Sequence, residues 1–168
     1  MKKMLLLGVL LAGMPALAGA QSPKPMEGVW KVVEVVATGQ RAENTANPPS
    51  LFIFGPKHYS MMWVRGGKPR APYAGEVPTS EEKVAAFDSF VASTGTYEVT
   101  GSSLTVRPIV ARNPNFMAGG SAQYQFRVDG TNLWLTEKST DARYRIAGQV
   151  RPPSGPASET RLKLERVE

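Results

Sequence analysis

From Gly28 onward the chain never runs long without a turn signal. The stretches TGQ, NPP, FGPK, RGGKP, VTGSS, RNPN, AGGS, VDGTN and RPPSGP divide it into short segments. Between them lie VWKVVEVVAT, SLFIF, HYSMMWV, TYEVT, SLTVRPIVA, AQYQFRV, NLWLTEK, RYRIAGQV and RLKLERV, all rich in β-branched and aromatic residues. Short alternating runs separated by Gly-, Pro- and Asn-marked turns predict an all-β, antiparallel sandwich or barrel. VDGTN and VTGSS each place a glycine between two such runs, as a tight hairpin requires. The chain contains no cysteine. No disulfide braces the fold and no thiol chemistry is available, so stability rests on one hydrophobic core. A chain of about 150 residues buries enough surface for that.

One segment departs from period two. TSEEKVAAFDSFVASTG opens with Thr79 and places Glu82 three residues on, the pattern of a capping box. Val84, Phe87 and Val91 follow at helical spacing, with Phe90 beside them. The spacing predicts one helix of about four turns over Thr79 to Ser93, ended by Gly95 and packed through Val84, Phe87 and Val91. RPPSGPASET reads as a flexible loop before the last strand.

The first residues have a different character. Lys2 and Lys3 precede an apolar run, Met4 to Met14, and Ala18-Gly19-Ala20 is a small-residue cleavage pattern. The run is too short to span a bilayer comfortably. Together these features predict a secretory signal over 1–20 and a mature domain over 21–168, with a bacterial periplasmic or secreted destination and no stable membrane span. Leaving out Lys2 and Lys3, 18 basic residues face 14 acidic ones, an excess of +4. The positive charge is scattered, without a basic block, and gives no nucleic-acid footprint.

GVWKVVE, LFIFGPKHYSMMWVRGGKPR, TSEEKVAAFDSFVASTGTYEV and YQFRVDGTNLWLT occur in an order that resembles the bacterial lipocalin-like domain family. The resemblance runs from about Gly28 to Glu137, and the closing LKLERVE resembles the family's last strand. It implies a lipocalin-like, up-and-down antiparallel β-barrel of about 8–10 strands with one inserted α-helix and a central cavity. It also implies structural roles for Gly28, Trp30 and Arg166. A physical reason stands beside it: an indole buries a large apolar area, and a guanidinium stacks on its face. In a closed barrel the first and last strands are neighbours. The chain departs from the family at TVRPIV, where Arg107 and Pro108 stand in place of a histidine pair. It also lacks the tryptophan often found before the last strand. No histidine-based chemistry carries over.

Within HYSMMWVRGGKPR, alternation puts Tyr59, Met61 and Trp63 on one face. With Phe52, Phe54, Tyr124 and Phe126 they are candidate lining residues of an apolar pocket. Arg65, Lys68 and Arg70 follow as candidates for a basic barrel mouth. Glu34 shares the Trp30 face by strict alternation, which would aim a carboxylate inward toward Arg107, Arg127 or Arg145; a bulge turning it outward is the alternative. A buried carboxylate must be paired or have its pKa raised. His58, the only histidine, has no second ligand nearby, so no metal or cofactor site is expected. No GxSxG elbow or paired carboxylates mark a catalytic centre.

Three functional readings follow. The first is a binding protein holding a small, largely apolar molecule, with or without an acidic group. The second is an enzyme of the isomerase or cyclase sort that uses the barrel interior. The third is an envelope protein whose barrel is filled. An interior void below about 100 Å3 would select the third, being far smaller than ordinary ligand pockets. Edman sequencing of exported protein is expected to begin near Gln21; a retained Met1 would refute the signal assignment.

Overall fold

The computed structural model describes residues 24–39, 42–66 and 70–168. The expected signal segment and Lys68 lie outside the described residues. In chain order the elements are β1 (Gly28–Ala37), β2 (Glu43–Ala46), β3 (Ser50–Phe54), β4 (His58–Val64), α1 (Ser80–Ser89), β5 (Phe90–Thr100), β6 (Ser103–Ala111), α2 (Pro114–Met117), β7 (Ala122–Asp129), β8 (Asn132–Lys138), β9 (Tyr144–Ile146), β10 (Gln149–Arg151) and β11 (Glu159–Arg166). The strands pair in the order β11-β8-β7-β6-β5-β4-β3-β1, and β1 returns to pair with β11. The result is a closed eight-stranded antiparallel barrel, the all-β architecture expected from the alternating runs. β2 continues the barrel wall beside the C-terminal half of β1, where β3 does not reach. β9 and β10 form a separate hairpin turned at Ala147 and Gly148, where a single strand was expected from RYRIAGQV.

The barrel's two ends differ. At one end the connections are tight: FGPK between β3 and β4, Gly101 between β5 and β6, and Gly130 between β7 and β8. Trp30 closes this end and is fully buried. Its Nε1 donates to the Met26 carbonyl at 2.8 Å. Trp30 faces Arg166 across the β1–β11 seam, and the guanidinium lies 4.1 Å from the indole centroid. Arg166 also donates to the carbonyls of Glu27 at 2.7 Å and Pro25 at 3.3 Å, tying down the segment that crosses the barrel floor. Gly28 makes room for this clasp. It sits at φ +136°, and any Cβ there would overlap the Arg166 guanidinium. Gly28, Trp30 and Arg166 thus meet at the closed end of the barrel. Above the floor, Phe52, Phe54, Tyr59, Leu104, Leu133 and Leu164 fill the barrel.

At the other end the connections are long, and one seam in the wall opens. β6 pairs with β7 only from Ser103–Val106 against Gln125–Ala122. Beyond Val106 the strand holds to β5 alone. A bulge between Thr94 and Gly95 sets Gly95 opposite Pro108, and a Cβ on Gly95 would strike the backbone of Arg107, Pro108 and Ile109. Pro108, which cannot donate to a ladder, sits where no β7 partner exists. α2 covers the gap, capped by Asn113 and carrying Phe116 against the core.

The inserted helix is shorter than its apolar spacing predicted. The capping box is present: Glu82 N donates to Thr79 Oγ1 at 3.2 Å, and Thr79 N donates to Glu82 Oε2 at 2.8 Å. The helix nevertheless ends at Ser89, because the β-forming FVAST run joins the sheet as β5. Gly95 is therefore a bulge residue, not a helix stop. Nor does an apolar stripe dock the helix. Val84 and Phe87 are 60% and 51% exposed, and only Val91, now in β5, packs on the core. Guanidiniums hold the helix instead. Arg112 donates to the Phe87 carbonyl at 2.6 Å and stacks on its ring, while Arg70 donates to the Ala86 carbonyl at 3.3 Å. Both satisfy carbonyls at the helix C-terminus, where cations are favoured.

Trp30→Ala is expected to cost about 3 kcal/mol in urea unfolding, as large aromatic truncations do. Gly95→Ala is expected to cost about 1–3 kcal/mol through overpacking against backbone. A neutral result at either position would contradict the packing described.

Candidate functional site

The upper part of the barrel is hollow. A cavity of about 160 Å3 lies under the open end. β4 contributes Met61 and Trp63, β5 contributes Val91 and Ser93, and β7 contributes Ala122 and Tyr124. Phe116 of α2 and Tyr144 of β9 close the side where β6 leaves β7; their rings lie 5.3 Å apart. A second cavity of about 260 Å3 continues outward beneath the loop from Pro153 to Ser158. Arg65, Glu137, Tyr144 and Thr160 line both, so the two chambers meet at a polar waist. The RPPSGPASET segment, expected as a flexible loop, thus forms part of the outer chamber's wall.

Glu137 is the distinctive group at the waist. It lies on β8 between Tyr124 of β7 and Thr160 of β11 in the sheet register. Part of its surface faces the cavity, yet protein packs so closely around the carboxyl that loss of water dominates its ionisation. Burial, opposed by Arg65 and reinforced by Asp141, raises its pKa to about 7. Among the described residues, no hydrogen bond contributes to holding its charge. Arg65 is itself engaged by Glu43, with Nη1 3.5 Å from Oε2. Glu43 also accepts from Gly66 N at 3.0 Å and Thr45 Oγ1 at 2.8 Å. Tyr124 titrates well above the usual range, first through burial and then through the charge of Glu137. Trp63, 7% exposed, has an Nε1–H with no acceptor among the described residues.

The residues singled out in the sequence fall into separate groups. Met61, Trp63, Arg65 and Tyr124 line the inner cavity. Phe52, Phe54 and Tyr59 face inward as alternation required, but they belong to the filled part. Phe52 packs on Trp63 at 5.7 Å and Phe54 on Tyr97 at 5.6 Å, while Tyr59 Oη bonds Ser93 Oγ at 3.2 Å. Phe126 is half-buried against the core and does not line the cavity. Arg70 lies outside the barrel, stacked 5.0 Å over Phe90. Glu34 requires a correction. The β1–β11 register shifts between Val32 and Glu34, and this bulge puts Glu34 on the exposed surface and Val35 in the core. Its expected partners are elsewhere: Arg107 pairs with Glu98 and Arg127 with Asp129. His58 is exposed. Among the described residues, no three His, Cys, Asp or Glu side chains gather as a metal site.

The inward carboxyl is thus Glu137 and not Glu34. Its signal was present in NLWLTEK, where Leu133, Leu135 and Glu137 share one strand face. Phe116 and Tyr144 had no comparable signal, because they come from a short helix and a hairpin whose placement depends on the opened seam. Compared with known proteins, the chain matches no protein-family model and no curated protein sequence.

The raised pKa carries a stability consequence. The unfolded chain loses the Glu137 proton near its ordinary value of 4.5, whereas the folded chain holds it to about 7. Between those values folding binds a proton, so stability falls as pH rises, with the full cost present above about 7. A shift of this size corresponds to roughly 3 kcal/mol. Glu137→Gln is therefore expected to raise unfolding free energy by about 1–3 kcal/mol at about pH 8 and to change little at about pH 4. Paired urea titrations at the two pH values test this.

Proposed function

We propose that this protein is an exported binding protein, related to the bacterial lipocalin-like proteins, that holds a small, largely apolar molecule under the open end of its barrel. The observation that carries the reading is the hollow itself. Eight-stranded barrels are just wide enough to be filled by their own side chains or to hold one small ligand. Here the same barrel is solid around Phe52, Phe54 and Tyr59 and empty beside Met61, Trp63 and Tyr124. The inner cavity, about 160 Å3, exceeds the roughly 100 Å3 below which the filled-barrel reading would be selected. An apolar void of about 150 Å3 accommodates a benzene ring. The outer chamber leaves room for the remainder of a longer molecule. The unsatisfied N–H of Trp63 supports an occupant bearing a hydrogen-bond acceptor, since an unmade buried bond costs about 1–3 kcal/mol.

A second reading draws on one observation. A carboxyl whose pKa burial raises to about 7, beside a tyrosine, has the properties of a general acid or base for an isomerase-type reaction. The binding reading needs only the cavity, and the catalytic one needs a second positioned group as well.

Native mass spectrometry of exported protein tests the first reading directly, with a co-purifying small molecule expected. With a ring-sized probe such as indole, Trp63→Ala is expected to weaken binding by about 1–3 kcal/mol while the protein stays folded. An unchanged affinity in a folded variant would remove the site.

A further inference from the structure

The inner chamber is aromatic, and a buried carboxyl, Glu137, stands at its waist beside Arg65. Trp63, Phe116, Tyr124 and Tyr144 line the chamber, and Glu137 lines it among them. Aromatic faces carry negative potential and attract cations, and rings arranged around a carboxylate are a recurring way to hold an ammonium group. A buried carboxylate is costly unless a cation pairs with it. Among the described residues, Arg65 offsets part of that cost: it lowers the Glu137 pKa and lies 5.9 Å over the Trp63 ring, but it is shared with Glu43. Arg65 is bound to Glu43 at 3.5 Å. Arg112, at the chamber edge, donates to the Phe87 carbonyl at 2.6 Å and stacks on the Phe87 ring at 4.5 Å. Asp141 adds further negative potential at Glu137.

We propose that the ligand is a small organic amine, whose ring-sized or short alkyl body fills the inner chamber and whose ammonium group pairs with Glu137. This rests on the binding reading above and specifies its ligand. It reverses the polarity suggested by the basic loop. Of those cations, Arg70 stacks on Phe90 outside the barrel, and Arg65 is shared between Glu43 and Glu137. A hydroxyl or ether oxygen on the same molecule would suit the Trp63 N–H, which adds no preference of charge.

The groups facing Glu137 set the pH response. They are Tyr124 from β7, Arg65 after β4, Asp141 in the turn after β8 and Tyr144 from β9, while β11 presents uncharged Thr160. Burial and the charge of Glu137 hold the Tyr124 pKa well above the usual range. Glu137 gains its charge as pH rises, and amine binding strengthens through about 7.

Three ring-sized probes on the full chain test the proposal: toluene, benzylamine and benzoate, followed by isothermal titration and tryptophan fluorescence. At about pH 8, benzylamine is expected to bind at least tenfold tighter than toluene, and benzoate more weakly than toluene. Glu137→Gln is expected to bring the affinity for benzylamine down to about that for toluene in the same variant. If that variant does not fold, the unmodified protein still decides. Its affinity for benzylamine should fall about tenfold between about pH 8 and about pH 5, while toluene stays constant. Tighter binding of benzoate, or a benzylamine preference that survives Glu137→Gln or shows no pH dependence, overturns the amine assignment and leaves the cavity standing. Failure of all three probes removes the binding reading and this inference with it.

Discussion

The closure of β1 on β11 is the constraint on which the rest of the structure depends. An eight-stranded sheet left open exposes two edges, each a row of unpaired backbone groups. Here the seam is fixed by a specific contact, the guanidinium of Arg166 on the indole of Trp30. The same guanidinium reaches two backbone carbonyls of the segment before β1. One side chain thus holds strand register, floor and seam together. Leucine at either position would supply apolar area but neither the stacking nor the hydrogen bonds.

With the floor set, the hollow follows from a local failure of pairing. β6 cannot stay in register with both neighbours past Val106, because Pro108 has no donor and the β5 bulge at Gly95 draws it aside. The wall opens, and α2 and the β9–β10 hairpin fill the opening with Phe116 and Tyr144 rather than with ladder bonds. The void is therefore bounded on one side by regular strands and on the other by short irregular elements. The desolvated Glu137 stands at the same opening, where Tyr144 lines both chambers with it.

Much of this could be read from the chain. The alternating runs predict the strands and Thr79 and Glu82 predict the helix start, while the closed end is what the resemblance carried by Gly28, Trp30 and Arg166 implies. What could not be read depends on departures from period two. A bulge after Val32 inverted the facing of Glu34, and no local residue announces it, since Val32, Val33, Val35 and Val36 suit either face. The helix end was misplaced because Val84, Phe87 and Val91 satisfy helical spacing even though the sheet recruits the last of them. The pocket was assigned too many residues because alternation tells inward from outward but not filled from hollow. That distinction is set by height along the barrel, which depends on register between strands distant in sequence.

The seam also dictates an order of events. The bond from Arg166 to the Glu27 carbonyl joins positions 139 apart. Almost the whole chain must exist before the first strand finds its last neighbour. Loops of that size place the fold among the slow, high-contact-order topologies, which take milliseconds to seconds. Until β11 arrives, both β1 and β8 are open edges, and an incomplete chain presents two templates for intermolecular pairing. The last eight-residue strand therefore acts as the commitment step of folding, and its loss would produce aggregation rather than a slightly smaller barrel.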